Sequence, residues 1–249
     1  MGPYKQKENT LVIVMISGKS FADICTWIYD SRYRERPFLH WVSRQGDWIF
    51  INGDHLDQFL SIRLPTPKRF NIIIHNSDKP LDADRFLRTL PRALHIYAIN
   101  TTIRHPQLTT IPLGFPDRDL DILPMIRPSS ERNIEIYSNF SRHTNPQARY
   151  KCLNAFEGDP RVVRKEPSGR TQDEYYDDLC HSKFVLCPEG KGIDTHRIYE
   201  ALICGATPVV LQSTLNHLYE KLPICILNSW TDPFYVPDKQ PILNVKQWL

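Results

Sequence analysis

The sequence predicts an α/β fold, and three observations carry that reading. Residues 181–211 (HSKFVLCPEGKGIDTHRIYEALICGATPVVL) read as strand, glycine-rich turn, helix and second strand, a βαβ unit. Short apolar runs of strand type recur along the rest of the chain, several of them ending in polar residues, as parallel strands buried under helices do. A proline-rich, charged stretch at residues 117–130 lies near the middle and reads as a hinge between two halves.

A chain of 249 residues suits one large domain or two small ones and is long enough to bury real cores. With 41% hydrophobic and 24% charged residues, wholesale disorder is excluded. The formal net charge is +3 and the basic residues are scattered, whereas a nucleic-acid binder carries a stronger, clustered excess. The first apolar run, residues 11–16, is only six residues long, too short for a signal peptide or a membrane span. The expectation is therefore a cytoplasmic chain, or one separated from its anchor. Six cysteines without a CxxC pair predict reduced, mostly buried thiols rather than disulfides or a zinc site. Two sequons, at Asn100 and Asn139, are expected to stay unmodified without a secretory route.

In chain order, residues 11–16 (LVIVMI) read as a buried strand, followed by Ser17-Gly18-Lys19-Ser20 and a helix through Trp27 and Tyr29. A P-loop needs a glycine five residues before its Gly-Lys pair, where this chain has Ile13, so that reading fails. Gly18 and Lys19 form either a simple turn or an approach to donor phosphate or acceptor. Residues 48–52 and 69–75 (RFNIIIH) are the next strands, and Asp54, His55 and Asp57 open a helix between them. The second of these strands runs into His75-Asn76-Ser77-Asp78. Ligands in open α/β sheets bind at the carboxyl ends of strands, so a catalytic group belongs there. Residues 93–98 form a further strand leading to Asn100.

The second half opens on residues 133–138 (NIEIYS), an alternating strand, then a polar loop and a helix over 147–156. That loop ends at a helix N-terminus, an anion-binding geometry in which Arg142, ahead of Arg149, reaches phosphates. A strand over 161–165 and a helix over 172–180 with Tyr175 and Tyr176 lead into the βαβ unit, and a helix and strand over 216–227 follow it. Trp27, Tyr29, Trp41 and Trp48 are spaced as core aromatics more than as a sugar-stacking surface.

Within the βαβ unit, Asp194 or Thr195 is expected to cap the helix over 196–204, and Gly205 ends it. Ile198, Ala201 and Leu202 share its buried face, while His196, Arg197 and Glu200 share another. A nucleotide diphosphate suits that second face: Arg for phosphates, Glu for ribose hydroxyls, and Gly190 and Gly192 for close backbone approach. From spacing alone, Arg197 and Glu200 fit a solvated ion pair as well.

The order Phe184, Cys187-Pro188, Gly190, Gly192, Arg197, Glu200-Ala201, Gly205, Pro208-Val209-Val210 closely resembles the signature of exostosin-like glycosyltransferases. His75-Asn76-Ser77-Asp78, Asn100, His105-Pro106 and Ile111-Pro112-Leu113-Gly114 extend the resemblance, less specifically, into the first half. Short and without an anchor, the chain looks closer to the soluble versions encoded by large DNA viruses than to animal exostosins. The resemblance implies a GT-B fold, two Rossmann-like domains with parallel sheets facing across a cleft. It implies an acceptor-side domain over 1–128, a nucleotide-sugar domain over 129–235, and a tail over 236–249 that returns to the first domain in many such chains.

The implied reaction is inverting transfer of a sugar from a UDP-sugar, xylose first among the candidates, to a hydroxyl of a glycan or glycoprotein acceptor. One base is then enough: Asp78 leads, with His75 and Asp54 behind it, although Asp78 can equally cap a helix starting near Asp82. The donor set is Arg142, Gly190, Gly192, Asp194, Thr195, His196, Arg197 and Glu200, and the acceptor set is Gly18, Lys19, Asn76 and Asp54. Three Asp-x-Asp motifs, at 82–84, 117–119 and 119–121, follow no convincing strand, so the transfer is expected to need no metal and no cofactor beyond the nucleotide sugar. A GDP-fucose-dependent fucosyltransferase and a binding module that has lost turnover remain as alternatives.

Overall fold

The computed structural model describes residues 15–33 and 35–249. Residues 11–14 of the first expected strand lie outside the described residues. Met15 and Ser17 make only isolated bridges, to Asn244 and Phe115, and Ile16 N donates to Leu243 O.

The first sheet contains β1 (Trp27–Tyr29), β2 (Trp48–Asn52), β3 (Phe70–His75), β4 (Ala93–Ala98) and β5 (Leu108–Thr110), parallel and in that spatial order. Helices α1 (Gly18–Asp23), α2 (Leu56–Ser61) and α3 (Ala83–Thr89) connect and flank it. The expected helix through Trp27 and Tyr29 is corrected here. α1 stops at Asp23, and β-favouring Trp27-Ile28-Tyr29 pairs with β2 because Ile28 and Phe50 bury together. Alternation along the strands splits the core: Ile49, Ile51, Ile72 and Ile74 pack under α2 and α3, while Phe50 and Ile73 join the other face.

The second sheet contains β6 (Ile134–Ser138), β7 (Val162–Arg164), β8 (Ser182–Leu186), β9 (Thr207–Leu211) and β10 (Cys225–Leu227), all parallel, in the order β10-β9-β8-β6-β7. α4 (Pro146–Ala155) packs on one face through Cys152 and Leu153. α5 (Gln172–Cys180), α6 (His196–Ile203) and α7 (Asn216–Tyr219) pack on the other through Leu179, Ile198 and Leu218. The architecture is therefore two parallel sheets with flanking helices, the GT-B arrangement.

Strand order reverses between β6 and β8, because the chain leaves β6 toward β7 and returns on the opposite side. That reversal opens a crevice at the strands' carboxyl ends. The loops leaving β6 and β8 border it, and across from them stand the loops leaving the first sheet. One core cluster runs through both halves, from Phe21, Phe50 and Phe115 to Tyr137, Tyr199 and Val210, and takes in the tail residues Val245 and Trp248. All six cysteines are buried and free, and both sequon asparagines, Asn100 and Asn139, are buried. Among the described residues no helix is long and apolar enough to cross a membrane.

Candidate active site

The crevice is a cleft of about 690 Å³ with walls from both halves, including Asp54, Asn76, Asp78 and Asn100 from the first and Arg149, Gly190, Thr195, Arg197 and Glu200 from the second. Two local features of the sequence shape its floor. Asn76 and Asn100, just beyond β3 and β4, take left-handed backbone conformations with φ of 58° and 50°, which asparagine tolerates better than most residues. The glycine-rich turn after β8 then presses onto Asn100: a side chain at Gly192 would come within 2.5 Å of its Nδ2. Asn100 Oδ1 accepts from Asp194 N at 2.8 Å, tying the turn to the first sheet.

The cationic element is a pair of guanidinium groups on opposite elements. Arg149 of α4 and Arg197 of α6 both lie over the ring of Phe140, at 5.5 and 5.7 Å from its centroid. Arg149 is held by Glu189 O, at 3.1 Å from its Nε, and by Ser141 O. Burial, and then repulsion by Arg197, pull its pKa down to about 10, so it stays charged at neutral pH. Burial opposes the charge on Arg197 too, but Tyr175 and Glu200 outweigh it and hold the pKa up. Among the described residues no carboxylate forms a salt bridge with either guanidinium. Arg197 Nε and Thr195 Oγ1 are buried without a hydrogen-bond partner. Native proteins leave few such atoms, and a polyanionic oxygen ligand in the cleft is one kind of partner that would suit them.

Glu200 faces the same space. Its Oε2 accepts from Tyr175 OH at 2.6 Å, and with Arg197 it also borders a side chamber of about 490 Å³ lined by Asn139, Thr171, Gln172 and Tyr175. His196 lines the cleft with its Nδ1 2.7 Å from Gly114 O.

Several expected site residues fall elsewhere. Arg142 does not line the cleft and Arg149 does. Helical side chains lean toward their helix N-terminus, so an arginine one turn into α4 reaches back over the loop mouth. His75 is fully buried against Phe21 and Phe50, with Nδ1 accepting from Asn76 N and Nε2 facing Pro112 O, so it is removed from the candidate bases. Gly18 is buried against the Asn76 side chain, and Lys19 pairs with Asp23 one turn along α1, so neither borders the cleft. Asp194 does not cap α6. Thr195 occupies that position without a side-chain bond, while Asp194 is buried and accepts from Leu113 N, Tyr199 OH and Tyr219 OH. Gly190, Gly192, Asp194, Thr195, His196, Arg197 and Glu200 of the donor set do border the cleft, as do Asn76 and Asp54 of the acceptor set.

The carboxylates sort by what they already bind. Asp30 is buried under Arg32, and Asp117 accepts from Lys19 N and Tyr33 OH. Asp82 caps α3, Asp84 pairs with Arg88, and Asp119 accepts from Gln172 and Tyr176, while Asp121 of the third Asp-x-Asp motif is exposed. Asp54 and Asp78 remain exposed to the cleft, Asp54 accepting from Ser77 OH at 2.8 Å and Asp78 paired with Lys191 at 3.0 Å.

Two buried groups predict a pH signature. Burial lowers the His75 pKa to about 4 and raises that of Asp194 to about 6. His75 removes stability as pH falls from 6.5 toward 4, since the unfolded chain binds that proton first. Asp194 adds stability as pH falls from 6 toward 4, since the folded chain binds its proton first. Each is worth about 3 kcal/mol, so they nearly cancel. Asp194→Asn should therefore lose about 3 kcal/mol more than the parent between pH 6.5 and 4 in urea unfolding. Parallel pH profiles would contradict these assignments.

The Exostosin GT47 domain model matches residues 98–236 of the chain, which takes in β5, the whole second sheet and the cleft wall it supplies. No curated protein matches the chain.

Proposed function

Since the chain belongs to the Exostosin GT47 family and is thus a glycosyltransferase acting on a nucleotide sugar and a glycan acceptor, we propose that it transfers a sugar from a UDP-sugar, with inversion and without a metal. The observation that carries the reading is the guanidinium pair astride Phe140 beside two buried polar atoms that lack partners, at the switch point of the second sheet. Arg149 and Arg197 take the diphosphate, aided by the N-terminus of α6. Glu200 takes the ribose hydroxyls from the side chamber it shares with Tyr175. The sugar then lies toward the first half, where Asp78 and Asp54 face it.

The step is a single in-line displacement. Asp78 removes the acceptor hydroxyl proton as that oxygen bonds to the anomeric carbon. The bond from that carbon to the β-phosphate oxygen breaks, and its electron pair leaves with UDP. Negative charge grows on the departing diphosphate, where two fixed cations stabilise it without reorganising. Tyr175 and Glu200 hold the face of α6 that presents Arg197, so the cation is in place before the reaction begins.

A thermal-shift panel of UDP-xylose, UDP-glucuronate, UDP-galactose, UDP-N-acetylglucosamine and GDP-fucose tests the donor. A true donor at about a hundred times its Kd adds roughly 2.7 kcal/mol. Stabilisation by UDP compounds with turnover supports the proposal, xylose being the sugar expected to work best. A response to GDP-fucose alone would overturn it in favour of a fucosyltransferase, and UDP binding without transfer or donor hydrolysis would leave a binding module.

A further inference from the structure

Lys191 is the basic side chain of the glycine-rich turn between β8 and α6, and its Nζ lies 3.0 Å from Oδ2 of Asp78, which follows β3 in the other half. The pair bridges the two walls of the cleft. It is also wet: the side chains keep 64% and 66% of their exposure, so it is an ion pair that water and other charges can replace. Lys191 directly follows Gly190, where a side chain would come within 3.1 Å of Arg149 Nη2. The ammonium that engages the exposed carboxylate thus sits on the turn that borders the guanidinium pair.

Lysine is suited to changing partners. It is a compact charge on a flexible stem, free of the planar fork that commits arginine to one geometry. A diphosphate seated on Arg149 and Arg197 carries more negative charge than one carboxylate, and the turn that carries Lys191 borders the same cleft.

We propose that Lys191 is a positioning residue that couples donor binding to the base, holding Asp78 in the donor-free cleft and passing to the diphosphate when the nucleotide sugar binds. Asp78 is then free to take the acceptor proton only when a donor is present to react. The consequence is an ordered cycle, donor before acceptor. The inference rests on the donor reading above and adds to it the way the site keeps its base engaged until it is needed.

The test uses UDP and needs no knowledge of the acceptor. The intact protein is treated with a water-soluble carbodiimide and glycine ethyl ester, with and without saturating UDP, and labelling at Asp78 is read by peptide mass spectrometry with Asp54 as internal reference. UDP binding is measured in parallel by calorimetry. In the parent protein, UDP should raise Asp78 labelling relative to Asp54 about two- to fivefold, the range an exposed ion pair spans. Lys191→Met should label at the higher level whether or not UDP is present, while binding UDP more weakly. If UDP binds but Asp78 labelling stays level or falls, or if Lys191→Met labels like the donor-free parent, the coupling is overturned. If calorimetry shows no UDP binding, the donor reading itself is overturned.

Discussion

Arg149→Ala/Arg197→Ala should lose kcat/KM toward its UDP-sugar by roughly 10²- to 10⁴-fold, because each charge-assisted contact to a phosphate is worth about 1.5–3 kcal/mol. Arg197→Ala alone should cost at least about tenfold on the same scale. The single effects should not add, since both groups flank Phe140 and each repels the other. Removing one relaxes the repulsion that the other carries. Initial rates against donor concentration, with UDP calorimetry, read both effects. A double variant with unchanged kinetics would mean that the diphosphate binds elsewhere.

Asp78→Asn should lower kcat by about 10²- to 10⁴-fold, the range for losing a positioned general base. UDP affinity should hold, or rise by no more than about fivefold as Lys191 is released from its partner. The amide keeps the shape of the carboxylate and cannot take the proton, so the loss belongs in turnover rather than donor KM. Full activity in this variant would remove Asp78 from the reaction and leave Asp54, the other exposed carboxylate of that wall, to be tested.

Why the strands were legible and parts of the site were not follows from how far each signal reaches. β2, β3 and β4 announce themselves by local apolar runs ending in polar turns, and their bounds lie within a residue of the reading. α5 is also where expected, since Thr171 and Glu174 close a capping box at its start. Helix α1 came out shorter than expected because Trp27 and Ile28 satisfy a helical apolar pattern as well as a strand, and only pairing with Phe50 decides between them.

At the site, the face shared by Arg197 and Glu200 was readable because i, i+3 spacing is local. The role of Asp194 was not: beside a glycine turn it reads as a cap, yet its partners Leu113 and Tyr219 lie far away in the chain. His75 failed for a related reason. A polar residue closing a strand reads as exposed, but this one ends inside a core completed by Phe21 and Pro112. Arg149 is within reach of the sequence, since the backward lean of helical side chains places it over the loop after β6, whereas an arginine in the loop itself has no such constraint on its direction.

The central claim is that the diphosphate of a nucleotide sugar lies on Arg149 and Arg197 at the β6–β8 switch point. A crystal structure with UDP bound tests it most directly. The account predicts phosphate oxygens within hydrogen-bonding distance of both guanidinium groups and of Thr195 Oγ1, with the ribose at Glu200. UDP ordered in any other pocket, with these side chains untouched, would contradict it.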